Sequence, residues 1–407
     1  MDFLTCYCPN RQCSHYGLPG FGHHLVRRGY DGDVPRLLCK MCQHTFSVRH
    51  GTAYVDVQSE VGIYTIAMRA LAEGNSLRGT GRIVGVDKNT VCAWLDKAGR
   101  HCRAVTAYLF NNLHITECQL DELWSFVHKK EAHLTAVEKI RMLYGDAWVW
   151  IAFAPEWRLV PAFVIGKRVQ ENADLLIERL KAVSCGHIPF FTSDQLYHYP
   201  NALLNGYGLP EVMLHIPGKR GRKPKPKLLP PANLLYAQVV KQRQNGRVVQ
   251  VTKKVIFGTE PAIQARLAAS TASHTINTSF VERNNLTCRQ CNARLSRKVL
   301  SFSKDLTWME KHLWLSLSYY HFVLPHASLA QPLPEPQPTR GSGSLKKTLR
   351  VTPAMMAGIT DHVWTMEELL SYRVPPEFRD EIEQHPIAHN LQVFHTRTRG
   401  TLPILIT

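Results

Sequence analysis

Gln119-Leu120-Asp121-Glu122-Leu123-Trp124-Ser125-Phe126-Val127 is the stretch whose reading decides the fold. Apolar, aromatic and β-branched side chains crowd it, which predicts a buried strand over 115–127, and an acid on such a strand is costly unless a metal or hydrogen bonds hold it. A second acid, Asp194, closes another apolar run, Ile188-Pro189-Phe190-Phe191-Thr192-Ser193-Asp194. A third, Glu282, opens an Arg-rich helical segment. Glu122 cannot share a site with Asp121, because neighbouring residues on a strand point to opposite faces. Three carboxylates of this kind suit Mg²⁺ or Mn²⁺, hard ions held by a few carboxylates together with water and phosphate oxygens. Two such ions can stabilise the attacking and leaving oxygens of an in-line displacement at phosphorus, which predicts nuclease or transposase chemistry.

Outward from these acids, strand-like runs at 115–127, 147–154, 159–165, 188–194 and 212–216, with a helix over 172–183, predict an α/β domain across 115–325. Three consecutive strands followed by a helix and further strand–helix units give the ribonuclease H order, a mixed sheet flanked by helices. The basic run Gly218-Lys219-Arg220-Gly221-Arg222-Lys223-Pro224-Lys225-Pro226-Lys227 precedes two strand-like runs, 234–243 and 248–257, around Asn245-Gly246, a favoured hairpin turn. These residues read as a basic tether and β-hairpin inserted at 217–260. Glu282 has a competing explanation, since Ser279-Phe280-Val281-Glu282 fits a capping box in which the glutamate only bonds the helix N-terminus. Favouring a site are Arg289, seven residues on and therefore about two turns along the same face, placed for a phosphate, and Asn285, which shares that face. Arg283, Arg289, Arg294, Arg297 and Lys298 make the segment cationic, suited to phosphates more than to bases.

Toward the N-terminus, residues 1–55 carry Cys8 with Cys13 and Cys39 with Cys42, two close pairs that suit a four-thiolate zinc ribbon. Cys6, His15, His23 and His24 are possible substitute ligands, and buried free thiols are the plain alternative. Over 56–100 the pattern turns helical: Ile63, Ile66, Ala67, Ala70 and Leu71 form one apolar stripe, a second helix covers 77–84, Gly85 turns, and Asp87 opens a third. That is the helix-turn-helix layout, with Lys88, Asn89 and Thr90 facing a DNA major groove. Residues 101–114 read as a linker, 326–345 as a Pro/Gly/Ser-rich linker and 346–407 as a small helical appendage.

The 407 residues are enough for two or three domains and a core that needs no disulfides. A formal charge of +17 and a pI near 9.5 point to a polyanionic partner, with nucleic acid ahead of a membrane surface. No apolar run approaches the roughly 18 residues of a membrane span, and no basic segment leads into an apolar stretch at the start, which predicts the cytoplasm. Eleven cysteines, an odd number, suit metal binding in a reducing compartment better than a disulfide framework.

Together these motifs resemble the insertion-sequence-one family of DDE transposases from bacterial mobile elements. The likeness rests on the Cys8-Pro9 and Cys39-x-x-Cys42 ribbon, Arg82-Ile83-Val84-Gly85-Val86 with Asn89-Thr90, the block from Asp121 to Val127, and Glu282-Arg283-Asn284-Asn285-Leu286-Thr287 running on to Leu300-Ser301-Phe302-Ser303-Lys304. The resemblance implies a Zn²⁺ ribbon and helix-turn-helix that bind double-stranded DNA at the element's terminal inverted repeats. It also implies a ribonuclease H-like domain that cuts and rejoins DNA, with Asp121 bridging two Mg²⁺ ions and Asp194 and Glu282 each completing one side. A homo-oligomeric synaptic complex on target and element DNA, at the bacterial nucleoid, follows from the same likeness. The long ribbon, the hairpin at 217–260 and the C-terminal tail depart from the compact pattern. A DNA-binding regulator or inactive remnant, and a structure-specific nuclease, are the competing functions.

Overall fold

The computed structural model describes residues 2–141, 144–211, 227–339 and 341–384. The strand expected over 212–216, the basic tether over 218–226 and the tail beyond 384 lie outside them. The described residues divide into two compact units, one joining those up to Phe110 with Cys288–Gln384, the other running Asn111–Thr287.

The first unit opens with a three-stranded antiparallel sheet, β1 (Leu25–Asp31), β2 (Val34–Cys39) and β3 (Thr45–Ser47). Its small core mixes Leu25, Leu37, Phe46 and Val48 with cysteine sulfurs. Three helices follow: α1 (Val61–Ala72), α2 (Leu77–Val84) and α3 (Lys88–Leu109). Ser76 caps α2 by accepting from the Gly79 amide, and Gly85, at φ +73°, ends it in the left-handed conformation that favours glycine. Asp87 caps α3 by accepting from the Asn89 amide. The buried face of α1 is Tyr64, Ala67, Met68 and Leu71, so the expected stripe is rotated and Ile66 stands 57% exposed.

The linker expected over 101–114 is for most of its length helix. The buried face of α3 continues through Ala98, His101, Cys102 and Val105, and this stripe holds the helix together past residue 100.

The second unit is built on a six-stranded mixed sheet. Its strands are β4 (Glu117–Val127), β5 (Gly145–Ala154), β6 (Leu159–Gly166), β7 (Phe190–Ser193) and, after the short pair β8 (Leu209–Pro210) and β9 (Leu228–Leu229), β10 (Tyr236–Gln244) and β11 (Arg247–Phe257). The order is β11-β10-β7-β4-β5-β6, antiparallel from β4 to β6 and from β10 to β11, parallel where β7 lies between β4 and β10. Helices α4 (Ala136–Arg141), α5 (Gln170–Val183), α6 (His198–Tyr207), α7 (Glu260–Ala269) and α8 (Ser279–Cys291) complete the description up to the return to the first unit. β6 is buried at every residue, as a strand covered on both faces must be.

The residues read as an inserted hairpin are therefore part of the main sheet. Tyr236, Ala237 and Gln238 pair in parallel with Phe191, Thr192 and Ser193, and only beyond them does the hairpin leave the sheet as an exposed two-stranded arm. Asn245 and Gly246, at φ +50° and +78°, make the expected turn at its tip.

Back in the first unit, α9 (Leu306–Ser318) crosses α3 closely: a Cβ on Gly99 would meet the Lys311 carbonyl at 2.6 Å. The Pro-rich stretch expected as a linker forms a hairpin of β12 (Ala330–Thr339) and β13 (Ser342–Arg350). Its prolines fall at 332, 334, 336 and 338, every second residue, so their missing N–H groups can share one edge, where a strand tolerates them. The appendage contributes α10 (Pro353–Met356), α11 (Met366–Ser371) and α12 (Pro376–Gln384) to this unit. His101 Nε2 lies 3.1 Å from the Leu369 carbonyl, which ties α11 to α3.

Candidate functional site

Alternation along β4 sets the main candidate site. Glu117, Gln119 and Asp121 occupy one face. Glu117 accepts from Ser273 Oγ at 2.5 Å; Gln119 Oε1 accepts from the Val281 amide at 3.0 Å while its Nε2 donates to Asn277 Oδ1 at 3.2 Å; and Asp121 Oδ2 accepts from Asn285 Nδ2 at 2.7 Å. Three successive side chains of one strand face thus fasten the segment from residue 270 and the first turns of α8 over the sheet. Glu122 points to the other face, as the strand period requires, where Arg168 ion-pairs with one oxygen and Tyr199 donates to the other at 2.8 Å.

Asp194 follows the last residue of β7. Ser193 fixes that strand end by bonding the Tyr236 hydroxyl at 2.7 Å, and the Leu196 amide donates to Asp194 Oδ1 at 3.1 Å. Glu282, on the first turn of α8, accepts at Oε1 from Thr278 Oγ1 at 2.8 Å and forms an ion pair with Lys241 of β10. The competing explanation, a capping box, is not what occupies it: the Ser279 hydroxyl bonds Asn277 Oδ1 at 2.7 Å.

The three acids do not sit close enough to be grouped around one ion, as four cysteines do among the described residues, but the charge of Glu282 reaches both Asp121 and Asp194. Burial, reinforced by the negative charges of Glu122, Asp194 and Glu282, pushes Asp121 up to about 7 from an ordinary 3.8. Asp194 is also raised by burial, and the charge of Glu282 adds to this while the Leu196 amide, Arg168 and Lys241 oppose it. A proton or a cation relieves such a group, and carboxylate oxygens are the donors that hard divalent ions take.

Arg289 has a different place from the one its spacing suggested. Its guanidinium donates to the Leu295 carbonyl at 2.7 Å, and burial lowers it to about 10, so it braces the chain after α8. Asn285 is engaged with Asp121, while Arg283 is exposed. Sequence reasoning missed Lys241 and Arg168. For Lys241 the signal was present, since it lies at even spacing from Val239 on a strand-like run, but reading that run as an insertion hid it.

The second candidate site is the cysteine cluster. The sulfurs of Cys8, Cys13, Cys39 and Cys42 lie within 4.8 Å of one another and can hold a metal ion such as zinc. The separations Cys8–Cys42, 3.6 Å, and Cys13–Cys39, 3.8 Å, are close to the edge of a tetrahedron of sulfurs each about 2.3 Å from a central ion, and far longer than a disulfide of about 2.05 Å. Burial pushes the Cys8 thiol well up; Cys42, against a burial penalty, is drawn down to about 7 by the His44 amide and Asn10. Cys6 stays outside the cluster, its sulfur bonded to the Asp2 carbonyl, and His15, His23 and His24 do not join it.

Third, the turn between α2 and α3 is a shallow concavity lined in part by Arg78, Arg82 and Lys88. Lys88 and Asn89 are exposed and Thr90 half-buried on the first turn of α3. Arg78, one turn before Arg82, was not among the expected residues.

Among the described residues no helix is long and apolar enough to cross a membrane. No protein-family profile matches the chain, and no curated protein matches it.

Proposed function

We propose that the chain is a DNA transposase of the DDE type, binding the terminal inverted repeats of an insertion sequence and catalysing metal-dependent strand cleavage and strand transfer. The observation that carries the reading is Asp121: a carboxyl on a central strand, pushed up to about 7 by burial and by the acids around it, with Asp194 and Glu282 among those acids. A fold that only needed a strand there would have no use for an acid so disfavoured. The sheet supports the same reading, because three antiparallel strands followed by parallel neighbours on the far side of β4 fit the order that the ribonuclease H resemblance implies.

Asp121, Asp194 and Glu282 would hold Mg²⁺ or Mn²⁺, which when bound activates the attacking oxygen and steadies the departing one at phosphorus. Asn285 orients Asp121 through its 2.7 Å bond, and Gln119 sets the height of α8 above the sheet. Glu122, held by Arg168 and Tyr199 on the opposite face, keeps the strand in register without entering the site. Hydrolysis and strand transfer differ only in the attacking oxygen, so one such site serves both.

The four cysteines would hold Zn²⁺ and so give the N-terminal sheet a core its few apolar residues cannot supply. Lys88, Asn89 and Thr90, with Arg78 and Arg82 beside them, would meet double-stranded DNA, the first three at base edges and the arginines at phosphates. Two DNA ends must be joined together, which calls for a homo-oligomeric synaptic assembly.

The test is incubation with Mg²⁺ and a DNA carrying the inverted repeats that flank the coding region, beside an Asp121→Asn control. Strand transfer lost in the control supports the proposal. Cleavage without joining makes the chain a nuclease, and DNA binding with neither makes it a regulator or an inactive remnant.

A further inference from the structure

The three acids of the candidate active site are not equally free. Asp194 accepts from the nearby Leu196 amide, and Asp121 accepts from neutral Asn285. Glu282 alone among them is ion-paired with a cationic side chain, Lys241, and Thr278 donates to the same oxygen at 2.8 Å. Lys241 is not a loose surface lysine. Its strand is registered against β7 only three residues earlier, at Gln238 opposite Ser193, the residue next to Asp194. The same strand face carries Val239, paired with Lys253, and Lys253 bonds Thr275 on the segment leading to α8. The arm is thus held against that segment at two points, with Lys241 at Glu282 and Lys253 at Thr275. The Lys241 side chain is 29% exposed and that of Glu282 47%, so the pair lies at the mouth of the site, where it can open without disturbing the core.

On the reading that these acids bind a divalent cation, we propose that Lys241 is the resident counter-ion of the site. Its ammonium neutralises Glu282 in the empty enzyme and must withdraw before a metal ion takes that carboxylate, so the hairpin arm sets how readily the site loads. Two cations cannot share one carboxylate oxygen at close range without strong repulsion, which makes the lysine and the metal competitors. The displaced ammonium remains at the mouth, where a DNA phosphate is its natural next partner. Metal loading and DNA engagement are then coupled, each favouring the other through the position of one side chain.

The test measures metal binding directly, without DNA and without turnover. Zinc-replete full-length protein is titrated with Mn²⁺ while the free aqua ion is followed by electron paramagnetic resonance, for the wild type, Lys241→Met, Lys241→Gln, Lys241→Arg and Asp121→Asn. Binding that the Asp121 variant loses is assigned to the carboxylate site. That binding should tighten roughly three- to tenfold in both neutral variants, the effect of removing one unit charge near a divalent ion in a partly aqueous setting, and stay near the wild type in Lys241→Arg. Two neutral replacements of different shape guard against one that packs badly. Unchanged or weaker Asp121-dependent binding in both overturns the counter-ion role and leaves the active-site reading standing. Absence of any Asp121-dependent binding in the wild type and the lysine variants overturns both.

Discussion

Replacing Asp121 by Asn should make the protein more stable as it makes it inactive, and by an amount that depends on pH. The carboxyl rises from 3.8 to about 7 on folding, so the folded state holds a proton that the unfolded chain releases. Between those values stability falls as pH rises, and above about 7 it levels off, because both states are then ionised. Three units at about 1.36 kcal/mol each put the full penalty near 4 kcal/mol. Asparagine has one acceptor where the carboxylate has two, so it keeps the Asn285 bond and loses that from the Glu122 amide, at 2.9 Å, a cost of about 1 kcal/mol. The net gain is about 3 kcal/mol at pH 8.5. At pH 5.5 the penalty is roughly half as large, and the gain shrinks to about 1 kcal/mol. In a unit of this size the difference at pH 8.5 raises the melting temperature on the order of 5–10 °C. Thermal unfolding of both proteins at the two pH values, in buffer freed of divalent cations but with the cysteine site loaded, measures it. Adding Mg²⁺ should then stabilise the wild type alone. A variant that gains the same amount at both pH values, or loses stability at pH 8.5, would refute the claim that Asp121 is a disfavoured charge.

Three further outcomes are expected. Cys39→Ser should release one zinc per chain by elemental analysis and unfold the small sheet around it, because a buried thiolate of the set is gone and the local core is otherwise a handful of side chains. Arg82→Ala should weaken DNA binding with little change of sequence preference and lower the slope of log affinity against log salt by about 1, read from fluorescence anisotropy at several salt concentrations. Gln119→Leu should cost about 2 kcal/mol in urea unfolding, since Gln119 is fully buried and its loss strands the Val281 amide, while Asn277 keeps its bonds from Ser279. DNA cleavage should fall in the same variant while zinc content stays at the wild-type level.

Local pattern alone settled a good part of this protein. The helix over 77–84, the turn at Gly85, the hairpin turn at Asn245-Gly246 and the strands around Asp121 and Asp194 follow from apolar spacing, capping and turn chemistry, which act within a few residues of one another. The four sulfurs that converge are the four the pair spacing picked out. Period two on β4 likewise separated Asp121 from Glu122. Other matters depended on residues far apart in the chain. Pairing of β10 with β7 turned a supposed insertion into sheet and carried Lys241 to Glu282, 41 residues away. Arg289 shares a helix spacing with Glu282 yet is drawn to the Leu295 carbonyl, and α3 outruns its expected end because α9, more than 200 residues later, covers its buried face. Spacing fixes which way a side chain leaves its own element; what it meets there is set by packing between distant segments, and only the folded chain decides that.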